Sequence, residues 1–106
     1  MRTTTRAHSA RGFTKSTALK LAPHGIRVDA IAPGGILTPG VEAMQATPAG
    51  EVAGPRRTLE EFLARIPMGR MGQPDEIGRV ALFLASDLAA YVTGSQVVVD
   101  GGALLA

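Results

Sequence analysis

Gly25-Ile26-Arg27-Val28-Asp29-Ala30-Ile31-Ala32, continued by Pro33-Gly34-Gly35-Ile36-Leu37-Thr38, is the stretch that decides the fold. Its first eight residues alternate apolar and polar and then become wholly apolar, which is the pattern of a short strand. The Ala-rich end suits a strand in a tightly covered parallel sheet. Pro33 and the paired glycines end it, and Thr38 places a hydroxyl just beyond. Gly34 and Gly35 carry no Cβ, so a flat or anionic group can approach the main chain there. In open α/β sheets, ligands lie outside the carboxyl ends of the strands, and this turn is such an end. The plain alternative is a turn that only terminates a strand.

Helical signals surround this stretch. Before it, Phe13, Thr17 and Leu21 recur at helical spacing with Ala10 and Ala18 beside them, predicting a helix over about Ala7 to Leu21. Pro23 and Gly25 stop it. After it, residues 39–57 hold Pro39, Gly40, Pro48, Gly50, Gly54 and Pro55, which break any period. An irregular segment of roughly 20 residues is uncommon unless it covers a site, so 39–57 reads as a loop or lid, with an ordinary surface loop as the alternative. Thr58 and Glu61 have capping-box spacing. Leu59, Phe62, Leu63 and Ile66 then form one apolar stripe that Pro67 ends. Pro74 suits the first position of a further helix with Asp75 and Glu76 at its positive end. Ile77, Val80, Ala81 and Leu84 form one stripe of that helix, while Leu82, Phe83 and Leu88 lie off it, so a second side of it is a candidate subunit interface. Gln96-Val97-Val98-Val99-Asp100 reads as a β-branched strand buried on both faces, closed by Gly101-Gly102. Strands separated by crossover helices imply a parallel sheet. Two strands are too few to complete one, so the chain reads as part of an α/β architecture.

Composition narrows the function. The 106 residues are 45% hydrophobic and 19% charged, ordinary for one globular domain. The absence of cysteine excludes disulfides, thiolate zinc ligands and a cysteine nucleophile, and fits an intracellular, cytoplasmic protein. No apolar run approaches the ~20 residues that cross a membrane. Arg2, Arg6, Arg11, Lys15, Lys20 and Arg27 precede the first acid, Asp29. An acid-poor, Arg- and Thr-rich start has the composition of a transit peptide, of a basic face for nucleic acid, or of a solvated helix. It lacks the series of aromatic residues that would stack bases, so no nucleic-acid partner is expected. His8 and His24 stand apart from any carboxylate cluster, so no metal site is expected.

Taken in order, the motifs resemble the C-terminal part of the short-chain dehydrogenase/reductase family. The matching pieces are Leu21-Ala22-Pro23-His24-Gly25-Ile26-Arg27-Val28 and Ala30-Ile31-Ala32-Pro33-Gly34. Beyond the loop come Ile66-Pro67-Met68-Gly69-Arg70-Met71-Gly72-Gln73-Pro74-Asp75-Glu76-Ile77, then Phe83-Leu84-Ala85-Ser86-Asp87, Thr93-Gly94 and Val99-Asp100-Gly101-Gly102. Each piece alone is weak, and their order is specific. The resemblance implies a Rossmann-like doubly wound parallel sheet, of which two strands and three to four helices are present here, an incomplete domain. It covers residues 12–106 and leaves 1–11 as an unmatched basic leader. It implies hydride transfer between NAD or NADP and an alcohol/carbonyl pair. Pro33, Gly34, Ile36 and Thr38 would then line the nicotinamide side of the cofactor. The backbone at Ile36 would bond the carboxamide, and Thr38 would contact the carboxamide or the phosphates. It also implies a homo-oligomer, tetramer or dimer, through the 74–86 helix and the 95–100 strand.

The departures matter as much. The family carries a Gly-rich turn after its first strand, where phosphates meet a helix N-terminus, and none precedes residue 25. The family's catalytic tyrosine and the lysine four residues on would fall at Thr3 and Ala7, and neither side chain can do that work. The single tyrosine, Tyr91, is followed four residues later by Ser95 and resembles a turn residue. Asp29 stands where relatives often carry asparagine. No catalytic residue is therefore assigned. The expectation is an oxidoreductase fragment without activity alone. Its alternatives are a non-enzymatic oligomerisation or interaction module and one half of a split enzyme.

Overall fold

The computed structural model describes residues 6–46 and 58–106. The chain forms two compact units, one comprising Met1–Ala32 with Arg79–Val98, the other Pro33–Gly78 with Val99–Ala106.

In the first unit, α1 spans Arg6–Leu21. Its buried positions are Thr14 and Ala18, not Phe13, which is 70% exposed. Small side chains decide this, because Ala18 packs 3.5 Å from the point where Gly94 would carry a Cβ. Thr14 satisfies its hydroxyl on the Ala10 carbonyl at 2.9 Å, which lets a polar residue lie inside. A 3-10 turn over Ala22–His24 follows, and Gly25 closes it at φ 72°, donating to the Ala22 carbonyl. Only glycine adopts that left-handed geometry without cost.

The strands are β1, Ala30–Pro33, and β2, Gln96–Val99, paired in a two-stranded sheet. Ala30 N–H donates to the Ser95 carbonyl at 2.8 Å and Gly34 N–H to the Val99 carbonyl at 3.0 Å. Both partners advance together along the chain, so the pair is parallel. β1 is shorter than the alternating pattern predicts, because side chains tie down the polar half of that stretch. Thr93 Oγ1 accepts from Val28 N–H at 3.1 Å. The Arg27 guanidinium donates to the carbonyls of Leu84 at 2.7 Å and Val92 at 3.3 Å. Asp29 Oδ1 accepts from Ser95 N–H at 2.9 Å, and Oδ2 lies 3.8 Å from Arg27. Asp29 is thus a buried carboxylate, its side chain 5% exposed, with both oxygens occupied.

In the second unit, α2 spans Pro39–Ala46, a helix where a loop is expected. Pro39 at the first helical position costs nothing, since the first N–H groups have no intrahelical partner. Residues 47–57 of the expected lid lie outside the described residues. α3, Leu59–Ala64, begins with the expected capping box: Thr58 Oγ1 accepts from Glu61 N–H at 3.1 Å and Glu61 Oε2 from Thr58 N–H at 3.0 Å. α4 spans Pro74–Ala85; its residues to Gly78 belong to this unit and those from Arg79 to the first.

Burial is sparse. Among the described residues the buried apolar ones are Ala18, Ile66 and Ala89. No residue of β2 is buried, contrary to the expectation for a strand covered on both faces. A two-stranded sheet has too little surface to carry covering layers on both sides.

Candidate functional site

The turn after β1 is built by contacts within the second unit. An ideal Cβ on Gly34 would lie 2.5 Å from Asp100 Cβ and 2.8 Å from Asp100 Cα. On Gly35 it would lie 2.9 Å from the Phe62 ring. Both glycines therefore admit other parts of the protein, the residue after β2 and the apolar stripe of α3. The missing Cβ at each position thus serves packing within the chain. Phe62 and Ile66, expected as core, press on glycines: Ile66 Cγ2 lies 2.8 Å from an ideal Cβ on Gly101, whose φ is 64°.

Gly72 holds the next residues. Its N–H donates to the Gly35 carbonyl at 2.9 Å, and its carbonyl accepts from Leu37 N–H at 2.8 Å, a parallel bridge opposite Ile36. Such a bridge uses the groups flanking Ile36. The N–H and C=O of Ile36 itself therefore face away from Gly72, and no described residue bonds them. A Cβ at residue 72 would meet Ile36 Cδ1, the movable end of that side chain, at 2.8 Å. Thr38 begins α2, its Oγ1 accepting from Val41 N–H at 3.3 Å and its carbonyl from Glu42 N–H at 2.9 Å. Its hydroxyl proton is left to donate. Pro33 is exposed at the end of β1. Of the predicted site residues, Ile36 and Thr38 present usable polar groups, whereas Pro33 and Gly34 shape the turn.

Sequence reasoning missed the polar frame around this turn. Arg70 forms a bidentate pair with Glu76, at 2.7 and 2.9 Å, and Glu76 Oε2 also accepts from Gln73 N–H at 2.7 Å. The Glu76 carboxylate raises the Arg70 pKa, through the hydrogen bond first and charge attraction second. Glu76 three residues after Gln73 is capping spacing, the local signal that could have revealed it. Asp100 accepts from Gly102 N–H and Leu104 N–H, each at 2.9 Å. A cleft of about 220 Å³ is lined by Gly35, Ile36, Arg70, Gly72, Glu76 and Asp100, among others. Its charged groups hold one another and the turns, so the polar groups left for a ligand are main-chain ones. Among the described residues no three His, Cys, Asp or Glu side chains are grouped to hold a metal. Tyr91 is fully exposed.

A parallel strand pair joined by a helical crossover, with a backbone-lined turn where the first strand ends, defines part of a doubly wound α/β fold. Comparison with known proteins agrees. The family model described as Enoyl-(Acyl carrier protein) reductase matches residues 4–103, and the chain belongs to the short-chain dehydrogenase/reductase family. That match reaches into the basic start, which the sequence motifs leave uncovered. The chain is 45% identical over 94 residues to the 3-oxoacyl-[acyl-carrier-protein] reductase FabG of Thermotoga maritima, covering 89% of this chain and 34% of that protein. It is 47% identical over 96 residues to the oxidoreductase UcpA of Escherichia coli K12, covering 89% and 35%. Among solved structures, levodione reductase superposes with a TM-score of 0.77 at 41% identity, over 93% of this chain and 38% of that one. A candidate 2-deoxy-D-gluconate 3-dehydrogenase from Agrobacterium tumefaciens, with bound NADP, gives 0.77 at 41%, over 93% and 37%. The chain spans about a third of the length of the curated relatives it matches. No helix among the described residues is long and apolar enough to cross a membrane.

Proposed function

We propose that this chain forms the nicotinamide edge of an NAD(P)-dependent oxidoreductase site for an alcohol/carbonyl pair, and that it is inactive alone. The observation that carries the reading is the N–H and C=O pair of Ile36, held outward by the Gly72 bridge. An adjacent main-chain donor and acceptor match the C=O and NH2 of a carboxamide. The Thr38 hydroxyl, with its proton left to donate, suits a carboxamide or phosphate oxygen. When bound, the dinucleotide supplies the hydride donor or acceptor, and the chain's part is to orient the nicotinamide. The described residues hold no Gly-rich phosphate turn and no tyrosine–lysine pair, so proton transfer and phosphate binding need groups from elsewhere. The relative with bound NADP supports the cofactor class. The cysteine-free composition suits the cytoplasm.

Amide-resolved NMR titration of the 106-residue chain with NAD(H) and NADP(H) tests this. The Ile36 amide should shift, with affinity no tighter than about 1 mM, the range of a few weak contacts, and without turnover. Saturable micromolar binding, or an Ile36 amide that stays still while others move, refutes it.

A second reading, self-association, is favoured by exposed apolar side chains in the first unit. Leu82 is 71% exposed, Phe83 43% and Leu88 82%. Clustered apolar exposure of this kind drives association. We propose that these residues, from the 74–86 helix and its continuation, with the 95–100 strand, form a homo-oligomer interface. Light scattering that finds a stable monomer at micromolar concentration, unchanged by Leu82→Asp, refutes it.

A further inference from the structure

We infer that the Arg70–Glu76 pair is a positioning device for the Ile36 backbone, acting through Gly72. The inference rests on the nicotinamide reading above and adds the side chains that hold that edge in place. Three observations carry it, all within the second unit.

The first is where the pair grips the chain. Arg70 Nη1 donates to the Met71 carbonyl at 3.1 Å, and Glu76 Oε2 accepts from Gln73 N–H at 2.7 Å. Met71 and Gln73 are the residues on either side of Gly72. Arg70 and Glu76 are joined to each other by the bidentate contact at 2.7 and 2.9 Å, so the two grips act as one.

The second is the geometry of the peptide group. Each one is planar, so its C=O and N–H turn together. The Met71 carbonyl shares a plane with Gly72 N–H, which donates to the Gly35 carbonyl at 2.9 Å. The Gly72 carbonyl, which accepts from Leu37 N–H at 2.8 Å, shares a plane with Gln73 N–H. Holding the outer group of each plane therefore aims the inner one. Both bonds that flank Ile36 are aimed in this way, and together they set the direction of its own N–H and C=O.

The third is that Gly72 needs such a hold. It has no Cβ, and glycine has the widest backbone freedom of any residue, so its own conformational preference does not fix the two planes. The pair itself is partly open to solvent, its side chains 52% and 33% exposed, and an open pair adds little to global stability. Its effect is accordingly local. Arg70 and Glu76 line the same cleft as Ile36 and Gly72.

The test is amide hydrogen exchange on the 106-residue chain, followed by titration with NAD(H) and NADP(H). Arg70→Ala should speed exchange of Gly72 N–H by about fivefold or more, as local opening does, while Gly34 N–H, bonded to the Val99 carbonyl, stays within about twofold. Leu37 N–H should respond less than Gly72 N–H, since Glu76 still holds Gln73. Glu76→Ala should speed Gly72 and Leu37 alike, because it frees Gln73 and takes from Arg70 its anchor. A pair that acted only on overall stability would speed Gly34 in equal measure. Arg70→Ala should also weaken dinucleotide binding by about threefold or more, because fewer molecules hold Ile36 in the binding arrangement. If Glu76→Ala does not fold, Arg70→Ala decides alone. The inference is overturned if Gly72 exchange in Arg70→Ala stays within about twofold of wild type, or if Gly34 speeds as much as Gly72. It also falls if Arg70→Ala binds the dinucleotide as tightly as wild type. A wild-type Ile36 amide that the dinucleotide leaves unmoved refutes the nicotinamide reading by itself, and exchange at Gly72 and Leu37 then decides whether the pair aims the Ile36 backbone.

Discussion

Gly34→Ala is the sharpest probe of the packing around the turn, because the perturbation is one methyl group and its surroundings are known. Gly34 is not among the glycines with positive φ, so alanine brings no backbone strain. The whole effect is steric. The new Cβ would lie 2.5 Å from Asp100 Cβ and 2.8 Å from Asp100 Cα, where about 3.5 Å or more is the ordinary separation of carbon atoms. Neither atom belongs to the free end of a flexible side chain, so relief must come from moving the two chain segments apart. Overpacking of this kind costs about 1–3 kcal/mol. Separation also stretches the Gly34 N–H to Val99 carbonyl bond, which at 3.0 Å is the last rung of the sheet, for about 0.5–1.5 kcal/mol more. The expected destabilisation is about 2–4 kcal/mol, read as a lowered urea midpoint by circular dichroism. Gly78→Ala is the internal control. Gly78 sits inside α4 with nothing within 4 Å of its would-be Cβ. There alanine should stabilise by up to about 1 kcal/mol, from helix propensity alone. Two identical chemical changes should therefore move the midpoint in opposite directions. A Gly34→Ala protein within about 0.5 kcal/mol of wild type, the range of inconsequential surface changes, refutes the reasoning.

Other substitutions test the remaining contacts by the same urea midpoint. Asp29→Asn keeps an oxygen to accept from Ser95 N–H and should cost less than about 1 kcal/mol, whereas Asp29→Ala leaves that N–H without its partner and should cost about 1–3 kcal/mol. Thr58→Ala removes one arm of the capping box and should lower stability by about 1 kcal/mol, with loss of helical signal from α3. Arg70→Ala should do less harm than Glu76→Ala, since Glu76 also holds Gln73 N–H at the start of α4, and raising salt should narrow the gap between wild type and Arg70→Ala. The raised Arg70 pKa fixes the sign of any pH effect: the pair's contribution is full below the ordinary arginine value and is lost only as pH climbs through the higher folded value. The Arg70→Ala difference should therefore stay constant between about pH 6 and 9, well below the ordinary arginine value.

What is legible in the sequence is what is local. The capping box at Thr58 is a relation between residues three apart, and it forms as the spacing predicts. The stop at Gly25 and the start at Pro74 follow from single residues whose backbone options are narrow. The parallel strand pair follows from β-branched and Ala-rich runs separated by helical ones. What the sequence hides depends on distant partners. Asp29 accepts from Ser95, 66 residues away, and nothing near Asp29 announces it. Phe13 looks like core because large apolar residues usually are, yet the contact is made by Ala18 against Gly94, where small size is the asset. α2 escapes the pattern because Pro39 and Gly40 look like breakers, although the first turn of a helix tolerates both.

The glycine pair after β1 shows what the missing Cβ atoms do in the folded chain. The turn looks like an opening for a ligand because glycine leaves space. In the folded chain that space is filled, by Asp100 at Gly34 and by the Phe62 ring at Gly35. Filling it has a consequence for Ile36. With Gly34 fixed to Val99 and Gly35 to Gly72, the chain arrives at Ile36 with its direction set, and Leu37 is bound on the far side by the same Gly72. The N–H and C=O of Ile36 are thereby oriented before any ligand arrives. A preformed donor–acceptor pair loses little conformational freedom on binding, which is how a few backbone groups can align a flat amide. The glycines therefore act through packing. They let two strand ends, α3 and the Gly72 turn close on one another, and the fixed backbone at Ile36 is the result.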